Sequence, residues 1–161
     1  MLSHANIVQI LDLGQIDQTY YIAMEYVNGQ DLGTVLKRCR AKSITLPLPH
    51  TLFMMLEALK GLEYAHQRKV LRGGRPVPLN LVHRGLLPSN ILASLQGEVK
   101  ITDFGLATIR VASTESKSPG PDSPEDLTGT TGSFRFMAPE VASSKPYGRP
   151  VDVYSFAITL W

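Results

Sequence analysis

The sequence has one cysteine, little excess charge and no long apolar run, and each shortage excludes a class of protein. Cys39 stands alone, so no internal disulfide can form, which fits a reducing compartment and a cytoplasmic location. Nothing near it argues for a lowered thiol pKa, so it reads as a plain helix residue. A formal net charge of +2 is too small to imply a nucleic-acid partner. No segment reaches the roughly 20 apolar residues that a membrane-spanning helix needs, and no signal peptide opens the chain. What is left is a 161-residue chain with 43% hydrophobic and 19% charged residues, enough to form a soluble, globular domain with a core.

Taken in order, Val8 to Gln15 and Tyr20 to Val27 are rich in β-branched and aromatic residues. Turn formers from Gly14 to Thr19 separate them, so a hairpin is expected. Two strands alone are marginal in water. Asp31 is placed to cap a helix running to about Arg40. The cations Lys37, Arg38, Arg40 and Lys42 read as its solvated face. Beyond Pro47 and Pro49, Leu52, Met55, Leu56, Leu59 and Leu62 fall at helical spacing within Thr51 to Gln67. They predict a buried helix, with His66 near its end as a packing or capping group. Val70 to Asn80, holding Gly73, Gly74, Pro76 and Pro78, reads as a loop with Arg72 and Arg75 facing solvent. Gly97 to Ile101 predicts a strand. The stretch from Ala112 to Asp126 has few apolar side chains to offset its ordering entropy and is expected to be a mobile loop.

The most informative residues are Val82-His83-Arg84-Gly85-Leu86-Leu87-Pro88-Ser89-Asn90-Ile91-Leu92, followed by Thr102-Asp103-Phe104-Gly105. Asn90 offers an amide oxygen and Asp103 a carboxylate from two neighbouring turns, the hard donors a magnesium ion takes. These two motifs resemble the catalytic loop and magnesium loop of eukaryotic-type protein kinases, and Gly132-Ser133-Phe134-Arg135-Phe136 with Asp152-Val153-Tyr154-Ser155-Phe156 looks most like their tyrosine-kinase-like group of serine/threonine kinases. The resemblance extends over the whole chain. Leu2 to Val8 is similar to the family's H-P-N-I-V connection. Met24 to Gly29 resembles the hinge between lobes, although by itself it would pass for an ordinary strand end. Leu106 to Glu140 matches the activation segment closing on Met137-Ala138-Pro139-Glu140, and Val151 to Trp161 matches the start of the central helix.

The resemblance implies an α+β, protein-kinase-like fold in partial form. Residues 1–27 would be the end of the small lobe, and 28–161 a large lobe truncated in its central helix, with the activation segment at about 103–140. It also implies ATP and Mg2+ as cofactors and a protein as substrate or partner, with no membrane contact in this segment. Adenine would meet backbone groups of Glu25 and Val27, with Met24 behind it and Leu92 beneath. Asp31 would lie near the ribose, capping its helix as well. Asn90 and Asp103 would hold the metal, and Asp152 would anchor the catalytic-loop backbone. Arg84 would pair with a phosphorylated threonine at Thr128, Thr130 or Thr131, residues that read equally well as a plain polar loop.

Where the family has H-R-D-L-K-P-x-N, this chain has H-R-G-L-L-P-S-N. The proton-accepting aspartate falls on Gly85, and the lysine that touches the transferring phosphate falls on Leu87. The family's glycine-rich lid, strand lysine and glutamate partner lie before Met1, and the arginine that pairs with Glu140 lies after Trp161. An inactive chain is therefore expected. Three readings are compatible with that expectation: a piece of a longer kinase-like protein, a pseudokinase acting as a binding or scaffolding module, or a relic with no stable fold.

Overall fold

The computed structural model describes residues 2–104, 133–143 and 145–160. Much of the expected activation segment, including Thr128, Thr130, Thr131 and the predicted mobile loop, lies outside the described residues. The chain divides into two compact units, one made of residues 1–65 with 88–102, the other of residues 66–87 with 103–161.

The first unit opens on the expected hairpin, β1 (Ile10–Ile16) paired antiparallel with β2 (Thr19–Met24). Its turn is tighter than the turn-forming residues suggest. Asp17 and Gln18 both adopt positive φ, 45° and 68°, which gives the backbone the hand of twist that a two-residue connection requires. A three-stranded antiparallel sheet follows, made of β3 (Gly29–Asp31), β6 (Ile91–Ser94) and β7 (Val99–Ile101), with β6 in the centre. Asp31 ends β3 and caps α1 (Leu32–Ala41) as expected, its carboxylate accepting from the Thr34 N–H at 2.8 Å.

Helix α2 (Leu48–Gln67) begins earlier than its apolar spacing predicts. Pro49 lies in its first turn, where a missing N–H costs no helical hydrogen bond. The buried stripe also differs from the predicted one. Met55, Ala58, Leu62 and Ala65 are buried, whereas Leu52, Leu56 and Leu59 are exposed. Small residues choose the face, because they let the helix approach the chain near its start. A Cβ on Gly61 would lie 2.6 Å from the Asn6 carbonyl oxygen. Asn6 itself is buried and donates from Nδ2 to Glu57 and to the Val99 carbonyl, both at 2.9 Å. Ile7, Val8, Leu32, Ile91, Val99 and Ile101 complete this core.

The second unit contains a finding contrary to the sequence expectation. The Val70 to Asn80 stretch is no loop but a hairpin, β4 (Lys69–Arg72) against β5 (Arg75–Pro78). Its glycines and prolines hide this from composition. Gly73 and Gly74 take φ of 56° and 77°, a two-residue hairpin turn, and Val70 faces Val77 across the strands. Its other elements among the described residues are a 3-10 turn (Ser133–Phe136), a short α3 (Pro139–Ala142) and α4 (Pro150–Leu160), the expected central helix. Ser155 of α4 donates from its hydroxyl to the Phe136 carbonyl at 2.7 Å, and Leu86, Ala138, Val151 and Phe156 are buried.

Candidate functional site

In the second unit, α4 holds the backbone of the loop that begins at His83. Asp152 is fully buried, and its carboxylate accepts from the His83 N–H at 2.7 Å and the Arg84 N–H at 2.8 Å. The expected anchor is therefore in place. A third contact comes from His66, whose Nε2 lies 2.8 Å from Asp152 Oδ2. Assigned above to packing or capping, His66 instead braces the residue that shapes the loop. Its position near the end of an apolar helix was the only sequence signal, and Asp152 lies 86 residues away.

Two further contacts fix the same loop. Thr159 donates from its hydroxyl to the Leu86 carbonyl at 3.2 Å, and the His83 ring meets the Phe104 ring edge-on at 4.8 Å between centroids. Arg84 has φ of 67°, and its guanidinium lies 5.2 Å from the centre of the Tyr147 ring. Asp103 also has positive φ, 63°. Left-handed backbone at non-glycine residues costs energy and collects where a site demands a particular side-chain direction. Between them in the chain, Gly85 is open: a Cβ built there would meet no atom within 4 Å.

In the first unit two of the other candidate residues, Asp31 and Leu92, lie on the three-stranded sheet. Leu92 sits in β6 opposite Asp31 on one side and Lys100 on the other, and directly opposed residues share a face. Lys100 reaches Glu25, with Nζ 3.0 Å and 3.1 Å from the two carboxylate oxygens. Glu25 also accepts from the Gln9 N–H at 2.8 Å through its side chain, while its own N–H donates to the Gln9 carbonyl at 3.0 Å. The segment expected to act as a hinge is thus tied to β7 on one side and to the start of β1 on the other. Lys100 was not singled out in the sequence, because its partner is 75 residues away. Met24 ends β2 and is exposed, Val27 is half-buried, and Asn90 closes the 3-10 turn Pro88–Asn90 just before β6. The Asn90 carbonyl accepts from the Thr102 N–H at 2.9 Å, and Asn90 Oδ1 accepts from the Ser89 hydroxyl at 3.0 Å.

Two carboxylates of this unit are held below their ordinary values. Burial pushes Glu25 up, but the Gln9 N–H and the Lys100 ammonium outweigh it. Burial likewise raises Asp31, and hydrogen bonds from the Thr34 hydroxyl and backbone outweigh it. For Glu25 a depressed folded value means a stabilising contribution that is complete above the ordinary glutamate pKa. It is lost as pH falls through the lower, folded value. Glu25→Gln should therefore flatten the acid side of a stability-against-pH curve and cost about 0.2–1 kcal/mol near pH 7, read by urea denaturation.

Asn90 belongs to the first unit and Asp103 to the second. Among the described residues no cluster of three or more His, Cys, Asp or Glu side chains is present. A carboxylate with an amide oxygen nevertheless suits magnesium, which keeps several waters and takes other oxygens from phosphates. No helix among the described residues is long and apolar enough to cross a membrane.

Comparison with known proteins gives the same answer along the entire chain. The family model described as protein kinase domain matches residues 1–161. The chain is 37% identical over 161 residues to the tyrosine-protein kinase MasK of Myxococcus xanthus, covering 99% of this chain and 23% of that protein. It is 32% identical over 160 residues to the serine/threonine-protein kinase PrkC of Bacillus subtilis, covering 99% of this chain and 21% of that one. Among solved structures, the kinase domain of Mycobacterium tuberculosis PknI superposes with a TM-score of 0.67 at 24% identity. That match covers 99% of this chain and 50% of the solved one. The chain thus spans about a quarter of each curated relative and half of the solved domain, which fits the expected partial kinase fold.

Proposed function

The chain belongs to the protein kinase domain family, and from that premise we propose that it holds a magnesium nucleotide but transfers its phosphoryl group poorly. In this reading residues 1–27 end the small lobe and 28–161 form the large lobe. Backbone groups of Glu25 and Val27 bind adenine, with Met24 behind and Leu92 beneath. Asp31 lies by the ribose, while Asn90 and Asp103 take the metal. Bound magnesium would neutralise phosphate charge, which is the chemistry the family relies on.

One observation carries the reading. Asp152, His66 and Thr159 hold the loop around Gly85 as if for a catalyst, while the base position bears no side chain. The shared sheet face of Asp31 and Leu92 supports the nucleotide assignments, as does the tethering of Glu25. The Asn90–Thr102 backbone bond lends support to the metal pair, since Asp103 is the next residue after Thr102. General base catalysis is worth about 10²–10⁴ in rate, so its loss alone leaves a trickle. Leu87 at the lysine position lowers that further.

The substrate side chain is assigned to serine or threonine of a protein, and the site of action to the cytoplasm. A binding or scaffolding role follows if transfer is too slow to matter. Nucleotide binding and phosphoryl transfer should be measured on the same intact protein, using a fluorescent ATP analogue and a serine/threonine peptide. Binding is expected, with transfer below an aspartate-bearing relative by more than the roughly 10²–10⁴-fold that the missing base alone accounts for. Transfer at that relative's rate would refute the proposal.

A further inference from the structure

Lys100 has no part in the nucleotide assignments, yet its side chain reaches the segment on which they place adenine. It stands in the middle of β7 between buried Val99 and Ile101, and its own side chain leaves from the opposite face of the strand. There it opposes Leu92 in β6, which in turn opposes Asp31 in β3, so the three share one face of the sheet. Only 12% of the Lys100 side chain is exposed, and its Nζ meets both carboxylate oxygens of Glu25, at 3.0 Å and 3.1 Å. An ammonium so covered costs free energy unless a carboxylate stays beside it, which keeps Glu25 in place.

Backbone bonds complete the restraint. The Glu25 side chain accepts from the Gln9 N–H at 2.8 Å, and the Glu25 N–H donates to the Gln9 carbonyl at 3.0 Å. Three residues on, the Asn28 carbonyl accepts from the Leu95 N–H at 2.9 Å, immediately before Gly29 opens β3. Tyr26 and Val27 therefore span two fixed points. The Tyr26 side chain is 87% exposed and adds little packing, which leaves the course of this short span to the restraints at its ends.

We propose that, with adenine assigned to this segment as above, Lys100 is a positioning residue for the nucleotide: by holding Glu25 it keeps the backbone of Glu25 and Val27 in the course that receives the base. Lys100 itself touches no nucleotide and acts through Glu25. Without it the segment visits other conformations, and the measured affinity falls with the fraction of molecules still competent to bind. A pair that served only to hold the fold together would behave differently. Its loss would lower the melting transition and leave the affinity of the folded protein as it was.

The test is titration calorimetry of ATP with magnesium into the intact protein, with urea denaturation of each variant to set conditions where it is folded. Lys100→Met should weaken ATP binding about three- to tenfold. Glu25→Gln keeps the backbone groups that meet adenine and should weaken it by a similar factor. Combining the two should cost no more than the worse of them, because both remove the same contact. Lys100→Arg keeps a cation within reach of the carboxylate and should bind nearly as tightly as the unaltered protein. Unchanged affinity in both Lys100→Met and Glu25→Gln, losses that add in the double variant, or Lys100→Arg as weak as Lys100→Met would overturn the proposal and leave the nucleotide reading standing. Failure of the unaltered protein to bind ATP at all would instead refute that reading, and the role of Lys100 with it.

Discussion

Gly85→Asp should raise phosphoryl transfer by about 10²–10⁴-fold, with nucleotide affinity changed little. The physical argument has two parts. A carboxylate at this position would accept the substrate hydroxyl proton, a role that no side chain of the loop performs. The replacement is also sterically permitted, because a Cβ at residue 85 meets no atom within 4 Å and its neighbours Arg84 and Leu86 stay bonded to α4. Leu87→Lys added to Gly85→Asp should increase the rate again, by placing a cation where charge develops in the transition state. Initial rates with a serine/threonine peptide measure both. A Gly85→Asp protein that binds nucleotide yet remains as slow as the parent would show that something other than the base limits transfer.

Asp152→Ala should destabilise the protein by about 3–5 kcal/mol, the largest stability effect expected at a single site. The substitution removes the acceptor of the His83 and Arg84 N–H groups and the partner of His66 Nε2, and it opens space at a fully buried position. For a chain of this length that corresponds to a fall in Tm of roughly 6–20 °C. His66→Ala removes one of the three contacts and should cost less, about 1–3 kcal/mol. Calorimetry or urea denaturation on the two variants reads the difference. Equal costs would mean that the histidine, not the backbone anchoring, dominates the network.

How much of this was legible in the sequence depends on the range of the interaction. The α1 cap at Asp31 is local, three residues from its donor, and was read correctly. So were the first hairpin and the helix carrying Asp152, whose role came through the family resemblance. Contacts between distant residues left no trace. Neither Lys100–Glu25 nor His66–Asp152 can be inferred from residues 75 or 86 positions apart without a fold in hand. The buried face of α2 was read only in part, Met55 and Leu62 being buried but Leu52, Leu56 and Leu59 exposed, for a related reason. Leucine count favours the stripe through Leu52, Leu56 and Leu59, but close approach at Gly61 favours the side bearing Ala58 and Ala65. The second hairpin was missed because glycine and proline were counted rather than placed. Gly73-Gly74 between residues that pair in register is a turn signal, not a loop signal.

The kinase resemblance itself was legible because its motifs are spread along the chain in fixed order, and the family match over residues 1–161 agrees with it. Its departures were equally legible. Gly85 and Leu87 stand in a loop whose supports are otherwise present, which is why loss of transfer need not entail loss of binding.

The central claim is that Asn90 and Asp103 give this scaffold a metal-dependent grip on nucleotide. Titration calorimetry of ATP into the intact protein, with and without magnesium, tests it most directly. Heat of binding should appear with magnesium, vanish when the ion is chelated, and be absent in Asp103→Ala at unchanged secondary structure. Binding that is indifferent to magnesium, or that survives Asp103→Ala at full affinity, would contradict the account.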